Sequence, residues 1–218
     1  MSRRPGQRMD AGHWLPSQGV DPAPLTELNT ECLGLLATRA AQSGENAVAV
    51  ELPPLLSCMR ETWSELPAQA VRRLAGAPYC LFDAGIASSA RWLELRAGGV
   101  LDQTCAMPAY FEPVAARSLT RRMLVYGWHL ARSRPRAACL VFGATLPAVE
   151  SLAVCSLAVI DAAAERNGHA LRPRWSHQPG FWRELLRAAS AGADRRLREL
   201  LLGGVQRLAA ETLAAHPP

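Results

Sequence analysis

The chain has 218 residues, of which 49% are hydrophobic and 20% charged. That is enough apolar material for one sizeable core or two small ones, and it excludes wholesale disorder. The formal net charge is +5, with every basic side chain an arginine. This is compatible with an anionic partner but does not amount to the concentrated basic face of a dedicated DNA binder.

Residues 1–24 alternate prolines (Pro5, Pro16, Pro22, Pro24) with glycines (Gly6, Gly12, Gly19) and show no apolar periodicity. They read as a flexible arm in which Trp14 and Leu15 are candidates to dock onto the body, with a loose tail as the alternative. Arg3, Arg4 and Arg8 are not followed by an apolar stretch, so no secretory signal is read. No run reaches the roughly 18 apolar residues of a membrane span, and the cytoplasm is the expected compartment.

From Leu25 the pattern becomes helical. Leu25, Leu28, Cys32, Leu35 and Leu36 share one face, which predicts an amphipathic helix to about Ala41. Ser43-Gly44-Glu45-Asn46 breaks it, and a second helix follows Pro53 and Pro54. Ser64 is the expected N-cap of a third helix through Leu74, with Pro67 in its first turn. Gly76-Ala77-Pro78 stops that helix, Tyr79–Phe82 reads as extended, and a short helix is expected over about Ser88–Arg96. Residues 98–117, with Gly98, Gly99, Pro108 and Pro113, read as a connector. A long helix is then expected over about Ser118–Arg132. It is followed by helices at Pro135–Phe142, Pro147–Val154 and Ser156–Arg166, an extended Ala170–Trp175, and helices at Pro179–Ala189 and Ala193–Ala214. In the last of these Leu197, Leu200, Leu201, Val205 and Leu208 line one face.

The two halves match in order. Leu36-Ala37-Thr38-Arg39 resembles Leu130-Ala131-Arg132-Ser133, and Leu52-Pro53 resembles Leu146-Pro147. Ser64-Glu65-Leu66 resembles Cys155-Ser156-Leu157, and Leu81-Phe82 corresponds to Arg172-Pro173-Arg174-Trp175. Trp92-Leu93-Glu94-Leu95 resembles Trp182-Arg183-Glu184-Leu185. A small helical unit leaves an apolar face uncovered, and a second copy covers it. The expected architecture is therefore all-α, with two tandem helical repeats (25–97 and 118–214) packed as a pseudo-dimer and short extended segments between helices.

Chemistry is hard to find. There is no phosphate-cradling GxxxxGK[ST] or GxGxxG loop, no HExxH and no GxSxG. Gly98-Gly99 and Gly203-Gly204 lack a strand-turn-helix setting. The six cysteines stand singly among Leu, Ala and Val, as buried free thiols do. His129, beside Trp128 and Leu130, reads as a core or boundary residue, and Asp161 with Glu165 as a solvated helix face. No enzyme, metal or cofactor is expected. Arginines cluster in the second half: Arg121-Arg122, Arg132/Arg134/Arg136, Arg172/Arg174 and Arg195-Arg196. Arg121, Arg122, Arg132, Arg134 and Arg136 are the candidate phosphate contacts, because the planar guanidinium pairs bidentately with phosphate. The alternative for such a run is a solvated face. Trp92 and Trp182, at matching places, are candidate partner anchors, with core packing as the alternative.

The second half resembles the FlhD family of flagellar transcriptional regulators. The resemblance rests on Leu124–Arg132, then Arg136-Ala137-Ala138-Cys139-Leu140-Val141-Phe142-Gly143, then Ser156-Leu157 and a helix closing in Ala163-Ala164-Glu165, then Leu171–Trp175 and Ser176-His177-Gln178. It covers about residues 120–212, and 25–97 resembles the family more weakly. It implies an all-α, dimer-forming, cytoplasmic transcription activator that controls flagellum biogenesis together with a zinc-containing FlhC partner. The chain departs from the family in that Cys80 matches a family cysteine whereas the second half has Leu171 there. The competing expectation is a non-catalytic helical adaptor or accessory protein of a type III secretion apparatus. A homo-oligomer is compatible with either.

Overall fold

The computed structural model describes residues 21–42, 51–87, 92 and 109–214. Among them are ten helices: α1 (Ala23–Gln42), α2 (Pro54–Ser57), α3 (Arg60–Ser64), α4 (Ala68–Ala75), α5 (Pro113–Ser133), α6 (Pro135–Phe142), α7 (Leu146–Ala153), α8 (Leu157–Asn167), α9 (Pro179–Ser190) and α10 (Asp194–Ala214). A short 3-10 helix (Gly168–Ala170) and two short strands, β1 (Phe82–Asp83) and β2 (Arg172–Pro173), accompany them. The protein is mostly helical, as the periodicity predicts. Residues 1–20 with Trp14 and Leu15, most of the helix expected at Ser88–Arg96, and 98–108 of the connector lie outside the described residues.

Local chemistry sets the boundaries. Pro113, Pro135, Pro147 and Pro179 each occupy the first or second helical position, where a missing N–H costs nothing. Thr145 and Ser156 cap α7 and α8 by accepting from the backbone N–H groups of Ala148 (3.4 Å) and Val159 (3.3 Å). Gly143 ends α6 with φ +57°, and the Ala144 N–H donates back to the Cys139 carbonyl at 3.1 Å.

Two boundaries depart from expectation. Ser64 caps nothing: it closes α3, its hydroxyl donating to the Glu61 carbonyl, and α4 starts at Ala68 after an extended Pro67. The connector is shorter than expected, because α5 begins at Pro113 and absorbs residues 113–117, a start favoured by proline after the extended Glu112.

The long helices α1 and α5 pack against each other. α1 carries α3 and α4 on its other side, and α5 carries α6, α7 and α8. β1 and β2 pair antiparallel, Phe82 with Pro173 and Asp83 with Arg172. α9 lies on α4, where Trp182 meets Trp63 with ring centroids 5.4 Å apart. Arg73 of α4 donates to the Ala189 carbonyl at the end of α9 (3.1 Å). α10 packs along α9 and touches α6. One contiguous apolar core runs through both halves. No single described helix is long and apolar enough to cross a membrane. The apolar pair α6 and α7 is bent by 116°.

Candidate functional site

α5 carries most of the candidate arginines, and its neighbours decide what each can do. α8 runs antiparallel along it. Arg117 pairs with Glu165 at 3.3 Å, Arg121 with Asp161 at 2.7 Å, and the Trp128 indole donates to the Cys155 carbonyl at 2.9 Å. Asp161 and Glu165 therefore hold arginines rather than only facing solvent. On the α1 side, Arg122 pairs with Glu31 and, at 3.7 Å, with Glu27. Arg121 and Arg122 thus have their charge met inside the fold.

The other three sit around the corner between α5 and α6. The Arg132 guanidinium lies 4.7 Å from the Trp128 ring centroid, Arg134 is half-buried at the break between the helices, and Arg136 is exposed on α6. His129 is exposed, not a core residue.

Trp92 and Trp182 do not present themselves to a partner. Both are fully buried, and their indoles donate to the Ile86 carbonyl (3.0 Å) and the Arg174 carbonyl (2.7 Å). Apolar volume at interior helix positions, with one polar atom to satisfy, explains both as core residues.

Three polar features of the interior were not singled out from sequence. Asn29 is completely buried on the apolar face of α1. Its amide donates to the carbonyls of Tyr79 (3.0 Å) and Ala75 (3.3 Å), and its oxygen accepts from the Leu81 N–H (2.9 Å). An asparagine interrupting the stripe Leu25, Leu28, Cys32 was the available signal.

Arg174, read as part of an arginine cluster, is instead a buried cross-link. Its guanidinium donates to the carbonyls of Cys80 (2.8 Å) and Phe142 (2.5 Å), with Asp83 4.0 Å away. Such charge-assisted bonds offset the cost of removing the cation from water.

Finally, the Tyr79 hydroxyl is buried where α10 has Gly204, and a Cβ there would stand 2.0 Å from it. Gly204 therefore serves close approach, and burial pushes the Tyr79 phenol well above its ordinary value.

The cysteines divide. Cys32, Cys80 and Cys155 are buried, Cys139 is half-buried, and Cys58 is exposed, against the expectation of buried thiols throughout. All five are free. Burial pushes the Cys80 thiol up to about 12, the nearby Arg174 opposing it in part. Cys32 is raised by burial and then by Cys80 and Glu31. These are inert thiols, not activated nucleophiles. Among the described residues no three His, Cys, Asp or Glu side chains gather to hold a metal.

Among the described residues the exposed large apolar side chains are Val114, Leu140, Leu146, Val154, Leu157, Leu202 and Leu213. No family model matches this chain, and searches of characterised proteins and of solved structures return no match.

Proposed function

We propose that this chain is a transcription co-regulator of the FlhD type, in which two helical units joined in one polypeptide pack as a covalent pseudo-dimer and act through protein contacts. The observation that carries the reading is the reciprocity of the contacts between the halves. Trp182 stands 90 positions after Trp92, and on that shift Phe82 corresponds to Arg172 and Asp83 to Pro173. The strand pairing is Phe82 with Pro173 and Asp83 with Arg172, so each residue pairs with the counterpart of its neighbour. A two-fold interface between identical units has that signature. Glu31 and Arg122, 91 positions apart, likewise face each other across α1 and α5.

The resemblance of 120–212 to the FlhD family supplies the biological direction: an activator working with an FlhC-like partner. The ion pairs of Arg121 and Arg122 favour leaving DNA contact to that partner. The test is affinity capture of the tagged full chain from its native cell, with mass spectrometry of what is bound. Recovery of RNA polymerase or a DNA-binding regulator is expected. Recovery of secretion-apparatus components in their place overturns the reading in favour of an adaptor. Sedimentation of the purified chain tests the architecture, since a covalent pseudo-dimer with its two-fold surface already filled is expected to be monomeric.

A further inference from the structure

The outer edge of α5 and α8 changes character along its length. At the N-terminal end of α5 every cation is met: Arg117 by Glu165, Arg121 by Asp161, Arg122 by Glu27 and Glu31. Continuing that antiparallel register puts Leu157 opposite Val125 and the Val154–Cys155 turn beside Trp128. Leu157 is 52% and Val154 63% exposed. Trp128 is half-buried and fixed, its indole N–H tied to the Cys155 carbonyl and its face covered by Arg132. Beyond it, among the described residues, no carboxylate pairs with Arg132 or Arg136, both of them exposed, and one turn after Arg136 stands Leu140, 61% exposed.

We infer that this edge, with Val154, Leu157 and Trp128 as its apolar floor and Arg132 and Arg136 as its cationic rim, docks an acidic amphipathic helix of a partner protein. Two features fix the occupant. Arg132 and Arg136 pair with no carboxylate among the described residues, so complementarity asks for acidic side chains. The floor offers aliphatic and aromatic surface from the neighbouring ends of α5, α7 and α8, which the apolar face of an amphipathic helix covers. A phosphate backbone would meet the arginines and leave Val154, Leu157 and Leu140 uncovered. A second copy is disfavoured by charge, since the chain is net +5. The inference goes beyond the regulator reading and does not depend on the process served.

The test is a display selection of random peptides of about 16 residues on the immobilised full chain. Enriched sequences are expected to combine several carboxylates with apolar residues at helical spacing. The consensus peptide should then bind about tenfold more weakly to the double variant R132E/R136E, and similarly to V154S/L157S. Far-UV circular dichroism of both variants checks that they fold; the charge variant replaces two exposed side chains and keeps the test intact if the serine variant does not. No enrichment, enrichment without acidic bias, or unchanged binding to R132E/R136E overturns the inference. So does displacement of the peptide by a DNA duplex of about 20 base pairs, which would make the edge a nucleic-acid surface.

Discussion

Set side by side with a shift of 91 positions, α1 and α5 bury corresponding residues. Leu25, Leu28, Asn29, Cys32, Leu33, Leu36 and Ala40 fall on Ala116, Leu119, Thr120, Met123, Leu124, Gly127 and Ala131, and all are buried. The outer faces have nothing in common. Thr30, Gly34, Ala37 and Thr38 stand where α5 has Arg121, Val125, Trp128 and His129. Both threonine hydroxyls turn back onto their own helix, at 2.7 and 3.0 Å from the carbonyls four residues earlier, and nothing lies within 4 Å of a Cβ placed at Gly34. Packing fixes the inward pattern, because a helix turned by one residue would expose its apolar stripe. The outward pattern is free to diverge, and the larger, charged, aromatic face belongs to the second unit.

The sharpest way to break this equivalence is at the tryptophans. Trp92→Ala and Trp182→Ala each empty a fully buried site and leave a carbonyl without its indole donor. Each is expected to cost about 3–5 kcal/mol in urea unfolding. If Trp92→Ala costs under about 1 kcal/mol while Trp182→Ala unfolds the protein, the two units are not counterparts in the core.

Asn29 and Thr120 sharpen the comparison further, because the shift equates them and both are fully buried. Asn29 satisfies two carbonyls and one N–H, whereas the Thr120 hydroxyl has no partner among the described residues. Asn29→Ala strands three buried backbone groups and should destabilise by about 2–3 kcal/mol. Thr120→Val removes a stranded hydroxyl at constant shape and should be neutral or stabilising by about 1 kcal/mol. Equal losses in both variants would show that Thr120 is satisfied as Asn29 is.

A third difference is chemical. Cys80 corresponds to Ala170 on the strand shift of 90 and to Leu171 on the helix shift of 91, so only the first unit has a buried thiol there. Its folded-state value of about 12 lies above the unfolded value of 9.0. A raised value favours the neutral thiol in the folded state. The stability is therefore fully present below pH 9 and is lost as the pH climbs from 9 towards 12, with Cys32 acting in the same direction. Between pH 8.5 and 10 the loss should be of order 1 kcal/mol, and smaller in Cys80→Ala. Identical pH profiles for the two proteins would remove Cys80 from the alkaline transition.

The sequence made the helices legible because apolar spacing, prolines and caps agree. Pro135, Pro147, Thr145, Ser156 and Gly143 each stand where their backbone chemistry demands. It was less informative about partners. Which arginine of a cluster meets a carboxylate depends on a helix 40 or 91 positions away, as for Arg121 with Asp161 and Arg122 with Glu31. Local spacing placed Arg174 beside Arg172, but the structure turns one into the core and the other to solvent. Ser64 failed as a cap for a related reason: the segment Pro54–Ser64 divides into two short helices, and Ser64 belongs to the second. The sequence matches Leu36 to Leu130, yet the buried positions of the two helices align at 91 rather than 94, about one helical turn away. Ala and Leu recur too often in this chain for short identities to fix register.

The smallest effect tests the two-fold relation most directly. Glu31 and Arg122, 91 positions apart, face one another, with 29% and 46% of their side-chain surfaces exposed. A surface pair of this kind is worth about 0–1 kcal/mol and is screened by salt. Reversing one partner, Glu31→Arg, puts two cations together and should destabilise by about that amount at low salt, less at 1 M. Under the proposed two-fold relation the two sites see similar surroundings, so exchanging the residues, E31R with R122E, should restore most of the loss. Glu27, 3.7 Å from Arg122, limits the recovery, because in the exchanged protein it faces a glutamate. A double-mutant cycle in urea measures the coupling. A double variant as unstable as the sum of the two reversals would mean that the environments of α1 and α5 differ at the point of contact, and that the resemblance of the halves stops short of a two-fold.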